Sequence, residues 1–318
     1  MPKINRIAIP DTDLTMFPIG FGTVDIGLKK TEMRDIVPVL ETYIEMGGNV
    51  IDSARIYSDW VPPLVGRSEM ILGKWIKERG HHDDFILMTK GGHPRLDTMQ
   101  TPRMSASDMQ GDIELSLKAL GIDCIDVYFY HRDDPSVPAG EFVEIMEEFR
   151  RQGKIRYYAC SNWSTIRMKE ADEYAAAHGY RGFVANEMLF NIGQKYKKPS
   201  ADDTLVEMDA EMIDYHRSGR NLAIPYFGMC SGFFHKLASG GIEAVKDNMY
   251  CTPGNIEVMH RLDKICSDTG ASLTQAVLGF FFTQPFPAVP LAGASSVEHL
   301  KEAMGTLSFS FDPEAYKI

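Results

Sequence analysis

Residues 85–131 read FILMTKGGHPRLDTMQTPRMSASDMQGDIELSLKALGIDCIDVYFYH, and this stretch decides the fold. It opens on an apolar run, FILMTK, and closes on another, IDVYFYH at 125–131. Neither run alternates apolar with polar residues, which is the pattern of a strand covered on both faces and so of a parallel sheet. Between them Met109, Ile113, Leu117 and Leu120 share one helical stripe that stops at Gly121. Ser107 with Gln110 is read as the capping box that starts this helix. Strand, helix and strand in this order make a βαβ unit, because two parallel strands need a crossover of a dozen or more residues.

Six further runs extend the pattern in both directions: PIGFGT (18–23), NVIDSA (49–54), IRYYACSN (155–162), FVANEM (183–188), LAIPYF (222–227) and AVPLAGA (288–294). Eight strands alternating with helices predict an α/β fold, a (β/α)8 TIM barrel forming one domain over 1–318. The opening RIAIPDTDLTMFP is read as an N-terminal β-hairpin at the bottom of that barrel. A doubly wound open sheet is the alternative, but no G-x-G-x-x-G follows an early strand. Ser68 is expected to open a helix with Ile71, Leu72, Trp75 and Ile76 inward, and Glu141 to Gln152 a second that stops at Gly153. Pro38 lies within the first helix's apolar pattern, which predicts a start near Asp35 or a kink. Two connections, Gly91 to Met104 and Gly228 to Gly254, exceed ordinary loops and are expected to be walls or lids.

The chain has 318 residues, 44% hydrophobic and 24% charged, with 27 Gly and 17 Pro, which excludes disordered, collagen-like and membrane classes. A net charge of −11 argues against a nucleic-acid partner, since phosphate tracking needs a basic stripe. Five widely spaced cysteines without a C-x-x-C pair fit reduced thiols and a cytoplasmic location. The N-terminus lacks a secretory pattern, and the late apolar stretch LGFFFTQPFPAVPLAGA is broken by Gln284 and prolines, so no membrane association is expected.

Polar residues terminate the apolar runs: Asp52, Lys90, His131, Ser161 with Asn162, Asn186 with Glu187, and Tyr226. In a barrel these ends converge on the C-terminal face, where active sites of the architecture lie. One such tip reads equally well as a solvated boundary residue. Three on successive strands are cheapest to bury if they meet. Tyr57 follows Asp52 by five residues, above the barrel mouth. A phenol with its ordinary pKa of about 10 is a poor proton donor at neutral pH unless its anion is stabilised. Lys90 would supply that stabilisation, Asp52 would hold the ammonium, and a neutral His131 would hydrogen-bond the reacting oxygen. The set needs no metal and no covalent intermediate.

IDSARIYSD (51–59), ILMTKGG (86–92), DVYFYH (126–131) and the pair Ser161-Asn162 resemble, in order and spacing, the signatures of the aldo-keto reductase family, and the resemblance covers nearly the whole chain. It implies a tetrad of Asp52, Tyr57, Lys90 and His131, with Tyr57 as general acid/base. The implied reaction is reversible hydride transfer between a nicotinamide cofactor, NADP(H) with NAD(H) as alternative, and a small-molecule carbonyl or alcohol. Cofactor contacts carried over are Gly22, Thr23 and Val24 at the ribose, Ser161 and Asn162 at the carboxamide, Tyr226 under the ring and Ser231 at the pyrophosphate. The segment PLAGASSVEHLKEAM (290–304), with Ala294, Ser295, His299 and Glu302, resembles the adenosine-phosphate site.

This chain departs from the family pattern in three places. Glu187 replaces the usual carboxamide-binding Gln, His299 the usual Arg at the 2′-phosphate, and Ala303 the usual Asn, leaving Lys301 and Ser295 as substitutes. An ionised Glu accepts hydrogen bonds and cannot donate them. Trp60, Arg95, Arg132, Trp163 and Phe233 are expected substrate walls, against plainer readings in which Trp163 packs on the next helix and Arg132 pairs with Asp133 or Asp134. Family members with bulky apolar substrates often have a longer C-terminal loop, so an open mouth and a sugar-like or other polar carbonyl are expected. Two further readings stand beside the reductase: a cofactor-binding regulatory subunit of the same fold with little turnover, and a Lys90 Schiff-base lyase. The lyase is disfavoured because Asp52 would keep the amine protonated.

Overall fold

In the computed structural model, which describes residues 5–26, 33–193, 202 and 204–317, the chain enters through a hairpin of β1 (Ile7–Ala8) and β2 (Thr15–Met16), with Ile7 opposite Met16. Eight parallel strands follow: β3 (Gly20–Gly22), β4 (Val50–Asp52), β5 (Ile86–Gly91), β6 (Ile125–Tyr130), β7 (Ile155–Ser161), β8 (Ala185–Leu189), β9 (Leu222–Tyr226) and β10 (Leu291–Ala292). Each pairs with its sequence neighbour, and β10 returns beside β3. The ring is completed by a parallel bridge between Ala223 and Ala288, where Val289 N–H donates to the Ala223 carbonyl at 2.9 Å. All eight expected runs therefore carry strands of one (β/α)8 barrel.

Strand side chains alternate between two faces, and on a closed sheet one face is the interior. Val50, Met88, Val127, Phe129, Ala159, Ala185, Ile224 and Val289 form an apolar cluster inside the barrel, completed by Ile9, Leu14 and Met16 of the hairpin. The hairpin thus closes the N-terminal end, as the sequence predicts. Residues of opposite parity, Ile51, Leu87, Tyr128, Tyr130 and Tyr158, point outward into the larger cluster under the helices. Continuing the inward parity by one step brings Asp52, Lys90, His131, Ser161, Glu187 and Tyr226 to the C-terminal rim.

The helices are α1 (Met33–Glu45), α2 (Arg67–Arg79), α3 (Ala106–Leu120), α4 (Ala139–Arg151), α5 (Thr165–Ala177), α6 (Ala210–Arg217), α7 (Phe233–Gly240), α8 (Pro253–Thr269), α9 (Leu273–Gly279) and α10 (Val297–Met304). Two starts differ from expectation, while α1 begins at Met33, near the expected Asp35. α3 is capped by Ser105, whose Oγ accepts from Asp108 N–H at 3.2 Å, so Ser107 lies inside the helix. Ser105 and Asp108 carry the same spacing as the pair read from the sequence. α2 begins after Gly66, held at φ 60°, and Ser68 is a buried helix residue whose hydroxyl meets Thr23 Oγ1 at 2.9 Å and Ser53 Oγ at 3.1 Å. α1 runs through Pro38, which forfeits one backbone donor. α2 and α3 approach so closely that a Cβ at Gly73 would lie 2.1 Å from the Ala119 carbonyl oxygen, which requires glycine there. The expected loop Gly228 to Gly254 is largely helical and contains α7. No described helix is long and apolar enough to cross a membrane.

Candidate active site

The rim is organised by Lys90. Its Nζ donates to Asp52 Oδ1 at 2.6 Å, to the Ser53 carbonyl at 2.9 Å and to the Tyr57 hydroxyl at 3.2 Å. Glu187 Oε2 approaches the same nitrogen at 3.2 Å. Lys90, Asp52 and Glu187 are all buried. The ammonium stays charged, because Asp52, Glu187 and Tyr57 around it outweigh the desolvation that disfavours the cation. Burial pushes the Tyr57 phenol above its ordinary range, opposed by Lys90 and reinforced by Asp52 and Glu187, so it keeps its proton at neutral pH. Burial also raises both carboxyls, Glu187 to about 8.

His131 is buried with its ring 5.9 Å from that of Tyr57 and 4.7 Å from that of His93, both edge-on. Burial, His93, Arg132 and Lys90 all hold it well below its ordinary pKa, so the imidazole is neutral. No pattern in the sequence marks His93. Its Nδ1–H donates to the Pro94 carbonyl at 2.7 Å, and burial lowers it to about 4. Four groups drawn from the ends of three successive strands and a loop therefore meet at one point, with a protonated phenol, a fixed cation and a neutral imidazole side by side. The phenolic oxygen accepts from the ammonium, which leaves its own proton available for transfer.

A groove of about 590 Å³ starts at Gly22, the register partner of Asp52, and runs past Met229 and His235 to Ser295, His299 and Glu302. Its volume suits a small-molecule or cofactor site. Its far end meets the start of α10, where Ser296 Oγ caps His299 N–H and Ser295 Oγ lies 3.1 Å from His299 Nδ1. Free backbone donors at a helix start suit a phosphate without any broad basic surface. The channel, which begins one strand from Asp52, and the helix start at its far end fit a dinucleotide. Met229, His235 and Asp25 line it and carry no sequence pattern that marks them.

Several expected contacts are otherwise engaged. Thr23 is fully buried and its hydroxyl donates to the Asp52 carbonyl at 2.7 Å, so it braces the rim rather than facing the groove. Asn162, at φ 62°, donates both amide hydrogens within the protein, to Ser161 Oγ at 3.0 Å and the His131 carbonyl at 3.2 Å. Its Oδ1 accepts from Tyr226 OH at 2.6 Å and Val206 N–H at 3.0 Å. Val24 and Ser231 are exposed, and Ala294 lines the groove. Asn186 turns outward to Met212 and Cys160.

Among the expected substrate walls, Trp60 stands beside Tyr57 with ring centroids 6.1 Å apart and is 42% exposed. Trp163 and Phe233 are completely buried in the core, Trp163 against Tyr130, Phe142 and Phe183, and face no substrate. Arg132 pairs with neither Asp133 nor Asp134. It is buried and binds Asp202 at 2.7 Å, Thr204 at 2.6 Å and the His131 carbonyl at 2.8 Å. Arg167 takes Asp133 instead, at 3.0 Å. Arg95 is exposed on the loop after β5.

Residues 18–318 match the model of the aldo/keto reductase family. The chain belongs to that family. Among curated aldo-keto reductase relatives, it is 25% identical over 93% of its length to an aryl-alcohol dehydrogenase [NADP(+)] of Phanerodontia chrysosporium, covering 76% of that protein. It is 27% identical over 96% of its length to a putative voltage-gated potassium channel subunit beta of Schizosaccharomyces pombe, covering 88% of it. The crystal structure of an aldo-keto reductase from Klebsiella pneumoniae in complex with NADPH superposes with a TM-score of 0.73 at 20% identity, over 98% of this chain and 92% of that one. As a member of the aldo/keto reductase family, the protein is an oxidoreductase acting on small-molecule carbonyls.

Proposed function

We propose that this aldo-keto reductase interconverts an aldehyde or ketone with its alcohol, using NADP(H) bound in the groove from Gly22 to Glu302 and Tyr57 as proton donor. The observation that carries the reading is the 3.2 Å contact from Lys90 Nζ to the Tyr57 hydroxyl, with Asp52 fixing the ammonium at 2.6 Å. The relative named for NADP(+) and the neighbour crystallised with NADPH support the choice of cofactor. Bound nicotinamide supplies or accepts the hydride. Neutral His131 hydrogen-bonds the carbonyl oxygen, and Tyr57 delivers its proton to that oxygen as negative charge develops there. Lys90 stabilises the resulting phenolate, and Asp52 holds the ammonium in place without taking its proton. Tyr226, tied to Asn162 through its hydroxyl, offers a flat face for the nicotinamide ring.

Trp60 lies half in solvent next to the phenol and gives the mouth one flat apolar wall, which favours a carbonyl with an aromatic or alkyl flank over the sugar-like substrate expected from the sequence. Oxidation of NADPH by a panel of aryl aldehydes, alkyl ketones and sugars tests both points. Tyr57→Phe is expected to retain NADPH binding and to lose turnover by about 10²–10⁴-fold, the usual worth of a positioned proton donor. Undiminished turnover in that variant refutes the assignment of Tyr57. Silence over the whole panel with NADPH still bound supports the regulatory-subunit reading, which the potassium channel relative keeps in view.

A further inference from the structure

The proton chemistry above uses one carboxylate, Asp52, yet the rim buries a second. Glu187 Oε2 lies 3.2 Å from Lys90 Nζ without hydrogen-bond geometry, and among the described residues it has no hydrogen-bond partner. Two ionised carboxylates around one ammonium would leave a net negative charge in a site from which water is excluded, and one proton relieves it. Asp52 Oδ1 already accepts the short bond from Lys90, so the proton resides on Glu187. The charged and titratable groups acting on Glu187 are Asp52 from β4, Tyr57 from the following loop, Lys90 from β5, Arg132 after β6 and Tyr226 from β9. From β7 come only uncharged Ser161 and Asn162. Arg132 is tied to Asp202, Thr204 and the His131 carbonyl; its charge favours the ionised form of Glu187, but less than burial and Asp52 disfavour it.

Donors at this edge are scarce, because Asn162 gives both amide hydrogens to the protein. We propose that Glu187 stands as a neutral carboxylic acid at neutral pH and donates a hydrogen bond to the carboxamide of the bound nicotinamide, so that cofactor affinity is linked to one proton. The inference rests on the reading of this site as a nicotinamide pocket. Its sign is fixed: the acid form binds, so affinity is full at low pH and is lost as Glu187 ionises, a range in keeping with a carboxyl raised to about 8.

Two measurements test it. In the protein without cofactor, infrared difference spectra of unmodified protein against Glu187→Gln should show a carboxylic-acid carbonyl band at pH 7 that disappears by pH 10. Absence of that band overturns the protonation. Fluorescence titration should then give an NADPH Kd for the unmodified protein that rises roughly tenfold between pH 7 and pH 9, as expected for one linked proton. Glu187→Gln, which donates at every pH, should give a flat profile. A flat profile in the unmodified protein, or the same rise in the Gln variant, overturns the donor role. If neither NADPH nor NADH binds the unmodified protein at any pH while the band is present, the nicotinamide reading fails, and with it the donor role.

Discussion

Toward the bottom of the barrel Val50, Met88, Val127, Phe129 and Ala159 fill the interior above the hairpin. Two residues further along the same strands, Asp52, Lys90, His131 and Ser161 take the same inward positions. Burial is equally deep at both levels, and the energetics are opposite. The lower layer gains roughly 25 cal/mol for each Å² of apolar surface removed from water, without regard to direction or pH. The upper layer must offset the desolvation of a cation and two carboxyls by mutual contact, which at best roughly breaks even against apolar packing. Stability therefore comes from the lower layer, and the upper one holds chemistry that the lower one makes affordable. Phe129 joins the two, paired in register with Lys90 and lying 5.9 Å below its ammonium.

Lys90→Met should give the largest combined effect, because it leaves Asp52 and Glu187 buried together without their cation. Removing one partner of a buried pair costs about 3–5 kcal/mol, and turnover should fall by at least the same factor as for loss of the phenol. The two carboxyls would then resist ionisation in the folded state. Folded pKa values raised above unfolded ones mean that stability is greatest at low pH and falls as pH rises through the carboxylate range, measurable as urea midpoints from pH 4 to 8. A destabilisation independent of pH would erase the proposed difference between the layers.

Phe129→Ala is expected to lose about 3 kcal/mol through the cavity it opens, with the same loss at every pH in that range. A clear pH slope would show that the lower layer is not electrically neutral.

Glu69→Gln gives the smallest effect and sharpens the comparison from outside the barrel. Glu69 on α2 is completely buried, its Oε1 accepting from Thr89 at 2.6 Å while Oε2 has no partner among the described residues. Burial lifts it to about 7. The folded state thus binds its proton more tightly than the unfolded state does, so stability declines as pH rises from about 4.5 to 7 and is level above. The Gln variant should lose that slope, a change on the order of 1–3 kcal/mol across the interval. An unchanged slope would place the titration elsewhere. Glu69 and Glu187 are both buried glutamates raised by desolvation, but only Glu187 faces a second carboxylate across a shared ammonium.

The ring of strands was legible because a parallel barrel buries both faces of every strand, so each leaves an uninterrupted apolar run, and the polar tips of β4, β5 and β6 stood out against those runs. Helix starts were less legible. Ser105 and Ser107 both offer an acceptable cap, and Ser68 reads as a cap although its hydroxyl belongs to a network with Thr23 and Ser53 that joins residues 45 and 15 positions away. For the same reason Arg132, flanked by two aspartates in sequence, bonds to Asp202, and Trp163 lies in the core rather than at the mouth.

The sequence by itself determined which residues can be buried and where the chain must turn, since periodicity and turn chemistry are local properties. Only the tertiary structure decided which buried polar atoms meet. Asp52, Lys90 and Glu187 lie on three different strands, and their separation depends on barrel closure and register, which no local pattern encodes. That is why Glu187 looked like a substitution at a cofactor contact and emerged as a second acid on the Lys90 ammonium.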